Sequence, residues 1–95
     1  MKILALDTAT NSCSVAATDD GALSAELTIR KNQTHAIHLM ELVNSVLEFA
    51  GFGVADLDGL AVTIGPGSFT GLRIGISTIK GLAHALGKPV VGVST

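Results

Sequence analysis

The chain has 95 residues, of which six are Lys or Arg and eight are Asp or Glu, giving a formal net charge of −2 at pH 7. This balance, with three Phe and no Trp or Tyr, is not typical of a protein that binds nucleic acid by itself, and the single cysteine excludes an internal disulfide and a cysteine cluster for metal. The N-terminus reaches Asp7 after four apolar residues, and no run of about 18 apolar residues follows, so we expect a cytoplasmic protein with no membrane contact.

Three strands are predicted in the first third of the chain. Residues 3–7 form an apolar run typical of a buried strand, and residues 12–18 and 22–29 form two more. Asp19, Asp20 and Gly21 separate the last two runs, and Asp-Gly between two such runs predicts a hairpin.

Two helices are predicted in the remainder. Residues 34–50 carry apolar residues at helical spacing and are followed by Gly51, and residues 70–86 are followed by Gly87. A glycine is the commonest residue immediately after the end of a helix, so both positions predict helix ends.

The order of elements predicts the fold class. Residues 60–64 and 89–93 are short apolar runs that read as strands on either side of the second helix. The order βββαβαβ then predicts an α/β fold with a mixed five-stranded sheet. This is the ribonuclease-H-like topology, which is also that of each half of an actin-like ATPase. We expect residues 1–95 to form a single domain that is one lobe of a larger protein.

The loop before the second helix is a candidate anion or nucleotide site. Pro66 stiffens the loop, while Gly65 and Gly67 permit a positive φ, so the backbone can turn sharply. Ser68 is placed to cap the helix, and the free N–H groups of the first turn, with Arg73 nearby, suit an anion. The alternative is a structural turn that brings the helix close to the sheet.

Asp7 and Thr8, at the end of the first strand, are the second part of this candidate nucleotide site. An actin-like ATPase or kinase lobe places an acidic residue here, beside a phosphate loop. The two residues that follow, Ala-Thr, lack the glycine that such a loop needs, so ATP hydrolysis is not expected. A nuclease needs several carboxylates around its metal ions, and the predicted fourth strand carries none. Asp7 and Thr8 could equally hydrogen-bond a local turn.

No metal site is predicted from the histidines. His35 and His38 are three residues apart, which places them about 60° apart on a helix, and no third ligand stands near them in the sequence. His84 falls on a polar stripe of the second helix and is expected in solvent.

The second helix divides into three stripes. Its apolar stripe suits the sheet, and its polar stripe suits solvent. A third stripe consists largely of small residues and includes two glycines, each of which costs a helix about 1 kcal/mol relative to alanine. The apolar stripe is Leu72, Ile76, Ile79, Ala83 and Leu86; the polar stripe is Arg73, Ser77, Lys80 and His84; the third stripe is Gly71, Ile74, Thr78, Gly81 and Ala85.

The small third stripe predicts a close helix contact. Its partner is either the first helix of the same chain or another protein, and both remain open. The first helix has an apolar arc from Phe49 to Met40 that spans roughly 180°, where about 100° would cover a core. Part of that arc is therefore available to a partner.

The segment GPGSFTGLRIG at residues 65–75 resembles the corresponding motif of the TsaB (YeaZ) family. ILALDTAT at residues 3–10, CSVA at residues 13–16 and His35 resemble the same family, and the resemblance extends over all 95 residues. Members of this family are longer and carry a second lobe of related topology. The resemblance therefore implies that the chain is an N-terminal lobe.

The resemblance also implies a function, a non-catalytic subunit needed for threonylcarbamoylation of the adenosine adjacent to the tRNA anticodon. It implies a catalytic TsaD-like partner, a TsaE-like ATPase in the full complex, a homodimer through a similar surface, only indirect contact with tRNA, and no cofactor. The catalytic subunit has two metal-binding histidines four residues apart, whereas Leu39 stands four residues after His35 here. The implied partner contacts are His35, Ile37, Met40, Leu47, Gly71, Ile74, Thr78, Gly81 and Ala85.

One departure from the family affects these contacts. Ala36 and Ile37 stand where the family often has Ser-Glu after the histidine. A polar contact at this point is therefore not expected, and Ile37 is predicted to be an exposed apolar contact instead.

Overall fold

The computed structural model describes residues 1–7, 12–30, 35–65 and 69–94 of the chain. Five strands, two α-helices and one short 3-10 helix lie in these ranges. In chain order they are β1 (Lys2–Asp7), β2 (Ser12–Asp19), β3 (Ala22–Arg30), α1 (His35–Ala50), the 3-10 helix (Val54–Asp56), β4 (Gly59–Gly65), α2 (Phe69–Leu86) and β5 (Val90–Ser94). None of the described helices is long and apolar enough to cross a membrane.

The five strands form one mixed sheet in the order β3-β2-β1-β4-β5. β1 pairs with β2 and β2 with β3 in antiparallel fashion, whereas β4 runs parallel to β1 and β5 parallel to β4. The predicted ribonuclease-H-like order and mixed sheet are confirmed. Each strand bound lies within one residue of the prediction. The 3-10 helix was not predicted because three residues carry no periodicity.

The hairpin between β2 and β3 has the turn that its sequence predicts. Asp20 and Gly21 both have positive φ, at 53° and 86°, and the flanking residues Asp19 and Ala22 are paired. Two central residues with positive φ are the mark of a type I′ turn, whose twist matches that of the strands. Asp and Gly tolerate this backbone, so the local sequence fixes the register of the hairpin.

Both α-helices are followed directly by a glycine, as predicted. Gly51 and Gly87 have φ of 80° and 67°. The N–H of Phe52 donates to the carbonyl of Leu47 at 3.0 Å, and the N–H of Lys88 donates to the carbonyl of Ala83 at 3.1 Å. These bonds from the second residue after the helix satisfy carbonyls that have no partner within the helix.

The core lies between the sheet and the two helices. β1 alternates, with Leu4 and Leu6 buried, because successive side chains of a strand point to opposite faces. α1 packs over β2 and β3, α2 packs mainly over β4, and the two helices contact each other. The buried apolar residues are Leu4, Leu6, Cys13, Val15, Ala17, Leu39, Leu42, Val43, Val46, Leu47, Leu57, Leu60, Val62 and Ile79.

The structure corrects one predicted partner contact, Leu47. Its side chain is only 4% exposed and belongs to the core cluster. Leu39 and Val43, eight and four residues earlier, are buried with it, since residues at these spacings share one side of a helix. A residue at this depth stabilises the lobe itself, so the prediction that Leu47 contacts a partner is wrong.

Candidate interaction surface on the helix pair

The stripes predicted for α2 are present where its side chains are described. Ile79 is fully buried, and Ile76, Ala83 and Leu86 pack against the core. The polar stripe of Arg73, Ser77, Lys80 and His84 is exposed. Gly75 is also buried, and Leu82 packs against the core, so the buried side of α2 is wider than the predicted stripe.

The described residues of the third stripe of α2 face solvent at least in part. Thr78 is half-buried, and Gly81 and Ala85 are exposed. A Cβ built on Gly81 would meet no described atom within 4 Å outside the backbone of its own helix. The described part of α1 therefore does not fill the space beside Gly81, and packing among the described residues gives no reason for a glycine at this position. The exposure of Gly71 and Ile74, the other two members of this stripe, lies outside what the structure describes.

The exposed apolar residues of α1 lie on both of its flanks. Met40 is 40% exposed and Phe49 is 75% exposed. They are nine residues apart, which at 100° per residue places them on opposite sides of the helix. One partner helix can therefore contact only one of the two. Phe49 was not among the predicted contacts, and nothing but the width of the apolar arc could have indicated it. The side chains of His35 and Ile37 lie outside the described part of the chain.

The candidate nucleotide site is described only in part. Asp7 is half-buried at the end of β1, and the Thr63 hydroxyl donates to its Oδ1 at 3.2 Å. Gly65 is the last residue of β4, on the neighbouring parallel strand. Thr8, Gly67 and Ser68 lie outside the described residues.

Among the described residues, this sheet edge places the Asp7 carboxylate beside the Thr63 hydroxyl. No group of three His, Cys, Asp or Glu side chains that could hold a metal is present among the described residues. Cys13 is buried, and burial, with a smaller contribution from the Asp7 carboxylate, raises the pKa of its thiol. A neutral buried thiol is a poor nucleophile, because the thiolate is the reactive form.

The chain is similar in sequence to proteins of tRNA modification. A family model described as TsaD, tRNA N6-adenosine threonylcarbamoyltransferase, matches residues 26–95. The tRNA threonylcarbamoyladenosine biosynthesis protein TsaB of Escherichia coli K12 is 43% identical over 95 residues, which are 100% of this chain and 41% of that protein. The chain thus spans about two fifths of the length of this relative.

Solved structures agree with the sequence comparison. YeaZ from Pseudomonas aeruginosa is 41% identical and superposes with a TM-score of 0.92, covering 98% of this chain and 43% of that one. RuvC of Thermus thermophilus superposes with a TM-score of 0.61 at 13% identity, covering 99% of this chain and 64% of that one. The second likeness shows the fold alone, which is ribonuclease-H-like.

Proposed function

We propose that this chain, which belongs to the TsaD family and, within it, to the TsaB (YeaZ) branch, acts in tRNA threonylcarbamoyladenosine biosynthesis as a non-catalytic scaffold. In this role it binds a catalytic TsaD-like subunit through α1 and α2 and contributes no reactive group. The matched relatives are more than twice as long as the chain, so the role is proposed for the chain as the N-terminal lobe of a two-lobe protein.

The open space beside Gly81 carries the proposal. A glycine within a helix is unfavourable unless a close contact requires it, and no described atom of this chain makes that contact. Ala85, one turn later, is also small and exposed, so a helix from another protein can approach the backbone of α2 here. Met40 on α1 supplies an exposed apolar side chain that a partner can bury.

The polar end of the sheet supports a scaffold more than an enzyme. Asp7 accepts a hydrogen bond from Thr63. Metal-dependent phosphate chemistry needs several ligands to converge, and the described residues hold no group of three His, Cys, Asp or Glu side chains that could bind a metal. The competing function is an actin-like ATPase or kinase lobe with nucleotide at Asp7 and the loop after β4. Calorimetry with ATP and Mg²⁺ tests it, and a saturable heat that Asp7→Asn abolishes would favour it.

We propose the same surface for one of the remaining partners, a second copy of the chain. A homodimer would use the α1 and α2 pair in place of the catalytic subunit, so the two associations would compete. A TsaE-like ATPase would join the assembled pair, and the scaffold role itself requires only indirect contact with tRNA.

The test is a binding titration of the catalytic subunit against wild-type chain and Gly81→Leu. Gly81 is exposed and a Cβ at this position meets no described atom within 4 Å, so the variant should fold normally, which circular dichroism checks. Overpacking a close contact costs about 1–3 kcal/mol, so the affinity should fall by roughly fivefold to 150-fold. Ser24→Leu, which adds a leucine at an exposed position of β3, is the control and should bind like wild type. Equal affinities for wild type and Gly81→Leu would refute the proposed surface.

A further inference from the structure

Positive charge is concentrated on and just after α2. Residues 69–88 hold three of the six basic residues of the chain and none of its eight acidic residues. The rest of the chain therefore carries a clear excess of negative charge, although the whole has a net charge of only −2. The net charge of the whole chain therefore does not reveal that one helix has a basic surface.

The basic residues of α2 form one exposed row. Arg73, Ser77, Lys80 and His84 recur at spacings of three and four, which places them on one side of the helix, and all four are exposed. We call these four residues the basic stripe. At 1.5 Å per residue the stripe is about 16 Å long. It lies beside the small stripe that contains Gly81, so the two surfaces are neighbours on the free side of α2.

The composition of the basic stripe fits phosphate better than protein. It offers charged groups and hydrogen-bond donors but no apolar side chain. Protein interfaces are depleted of lysine and gain most of their energy from buried aromatic and apolar groups. Contacts with a nucleic-acid backbone come from arginine, lysine and small hydroxyl side chains, and they gain energy by releasing counterions.

We propose that the basic stripe of α2 binds the phosphate backbone of RNA. The inference goes beyond the scaffold role, in which tRNA contact is only indirect, and it relies on that proposed function solely for the choice of tRNA as the RNA. A length of about 16 Å is enough to follow several consecutive phosphates of one strand. The negative remainder of the chain turns the stripe toward the RNA and keeps the affinity of the chain alone low.

The test is a titration of unmodified tRNA into the isotopically labelled chain at low salt, followed by NMR. Amide shifts should concentrate at residues 73–88. Lys80→Gln should reduce the slope of log K against log salt by about 0.7–0.9, the loss of one phosphate contact. Lys2→Gln removes the same charge from the start of β1 and should leave the slope unchanged. Shifts elsewhere, no shifts, or an unchanged slope for Lys80→Gln would overturn the inference.

Two variants separate this inference from the scaffold role. Gly81→Leu should bind tRNA like wild type while losing affinity for the catalytic subunit. Lys80→Gln should bind the catalytic subunit like wild type while losing affinity for tRNA. If Lys80→Gln weakens only the catalytic subunit, the stripe is a protein contact and the RNA inference fails while the scaffold role stands. If wild type binds no catalytic subunit but tRNA still maps to α2, the scaffold role fails and the RNA inference stands.

Discussion

Replacing Gly81 with alanine should stabilise the isolated chain. The added methyl meets no other described part of the chain within 4 Å, so we expect neither a clash nor a packing gain, and only the helix preference of the residue changes. Alanine is favoured over glycine within a helix by about 0.8–1.0 kcal/mol. For a domain of this size such a change raises the unfolding midpoint by about 4–8 °C, which circular dichroism measures during a thermal scan.

Gly87→Ala is the matched control for this change. Its added methyl also meets nothing within 4 Å, but Gly87 has a φ of +67°, where a side chain costs about 1–2 kcal/mol. The two substitutions, one within α2 and one just after it, should therefore shift the midpoint in opposite directions. A lower midpoint for Gly81→Ala would mean that the helix is packed tightly at this point within the chain, and the outward-facing surface would be refuted.

Three further predictions concern the core and the N-terminus. Cys13 should react with a thiol reagent at pH 8 only as fast as the chain unfolds, and a rate like that of a free thiol would contradict its burial. The hydrogen bond between the Met1 amine and Asp20 raises the pKa of the amine and lowers the pKa of the carboxyl. Its stabilising effect should therefore be present between about pH 4 and pH 8. The effect should be lost at lower pH, where the carboxyl is protonated, and at higher pH, where the amine is neutral. NMR titration of Asp20→Asn should show the amine pKa return toward its ordinary value, and no change would disprove the pairing. Leu47→Ala should lower the free energy of unfolding in urea by about 2–5 kcal/mol, while Met40→Ala, at a partly exposed site, should cost much less; similar losses would contradict the reassignment of Leu47.

The fold followed from local features of the sequence. Asp20-Gly21 has a backbone geometry that joins two antiparallel strands in two residues, and Gly51 and Gly87 adopt the positive φ common just after a helix. Each of these choices depends on a few neighbouring residues, so a single sequence is enough to predict them. Their order along the chain then leaves few possible topologies.

The surface could not be predicted as well, because exposure depends on the packing of distant elements. Leu47 and Met40 both belong to the wide apolar arc of α1, and only the position of α1 over β2 and β3 decides that one is buried and the other exposed. Leu57 is only 1% exposed, yet it stands outside every predicted element because it follows the unpredicted 3-10 helix. The basic stripe could be predicted from its periodic spacing in the sequence. The net negative charge of the whole chain, however, argued against binding nucleic acid.

Complex formation with the catalytic subunit tests the central claim most directly. Light scattering after size-exclusion chromatography of the two proteins, mixed at equal concentrations, gives the mass of each peak. The scaffold role predicts a peak in which each catalytic subunit is joined by one copy of this 9.6 kDa chain, and this peak should diminish with Gly81→Leu. Separate elution of the two wild-type proteins at concentrations well above those of the binding titration would contradict it.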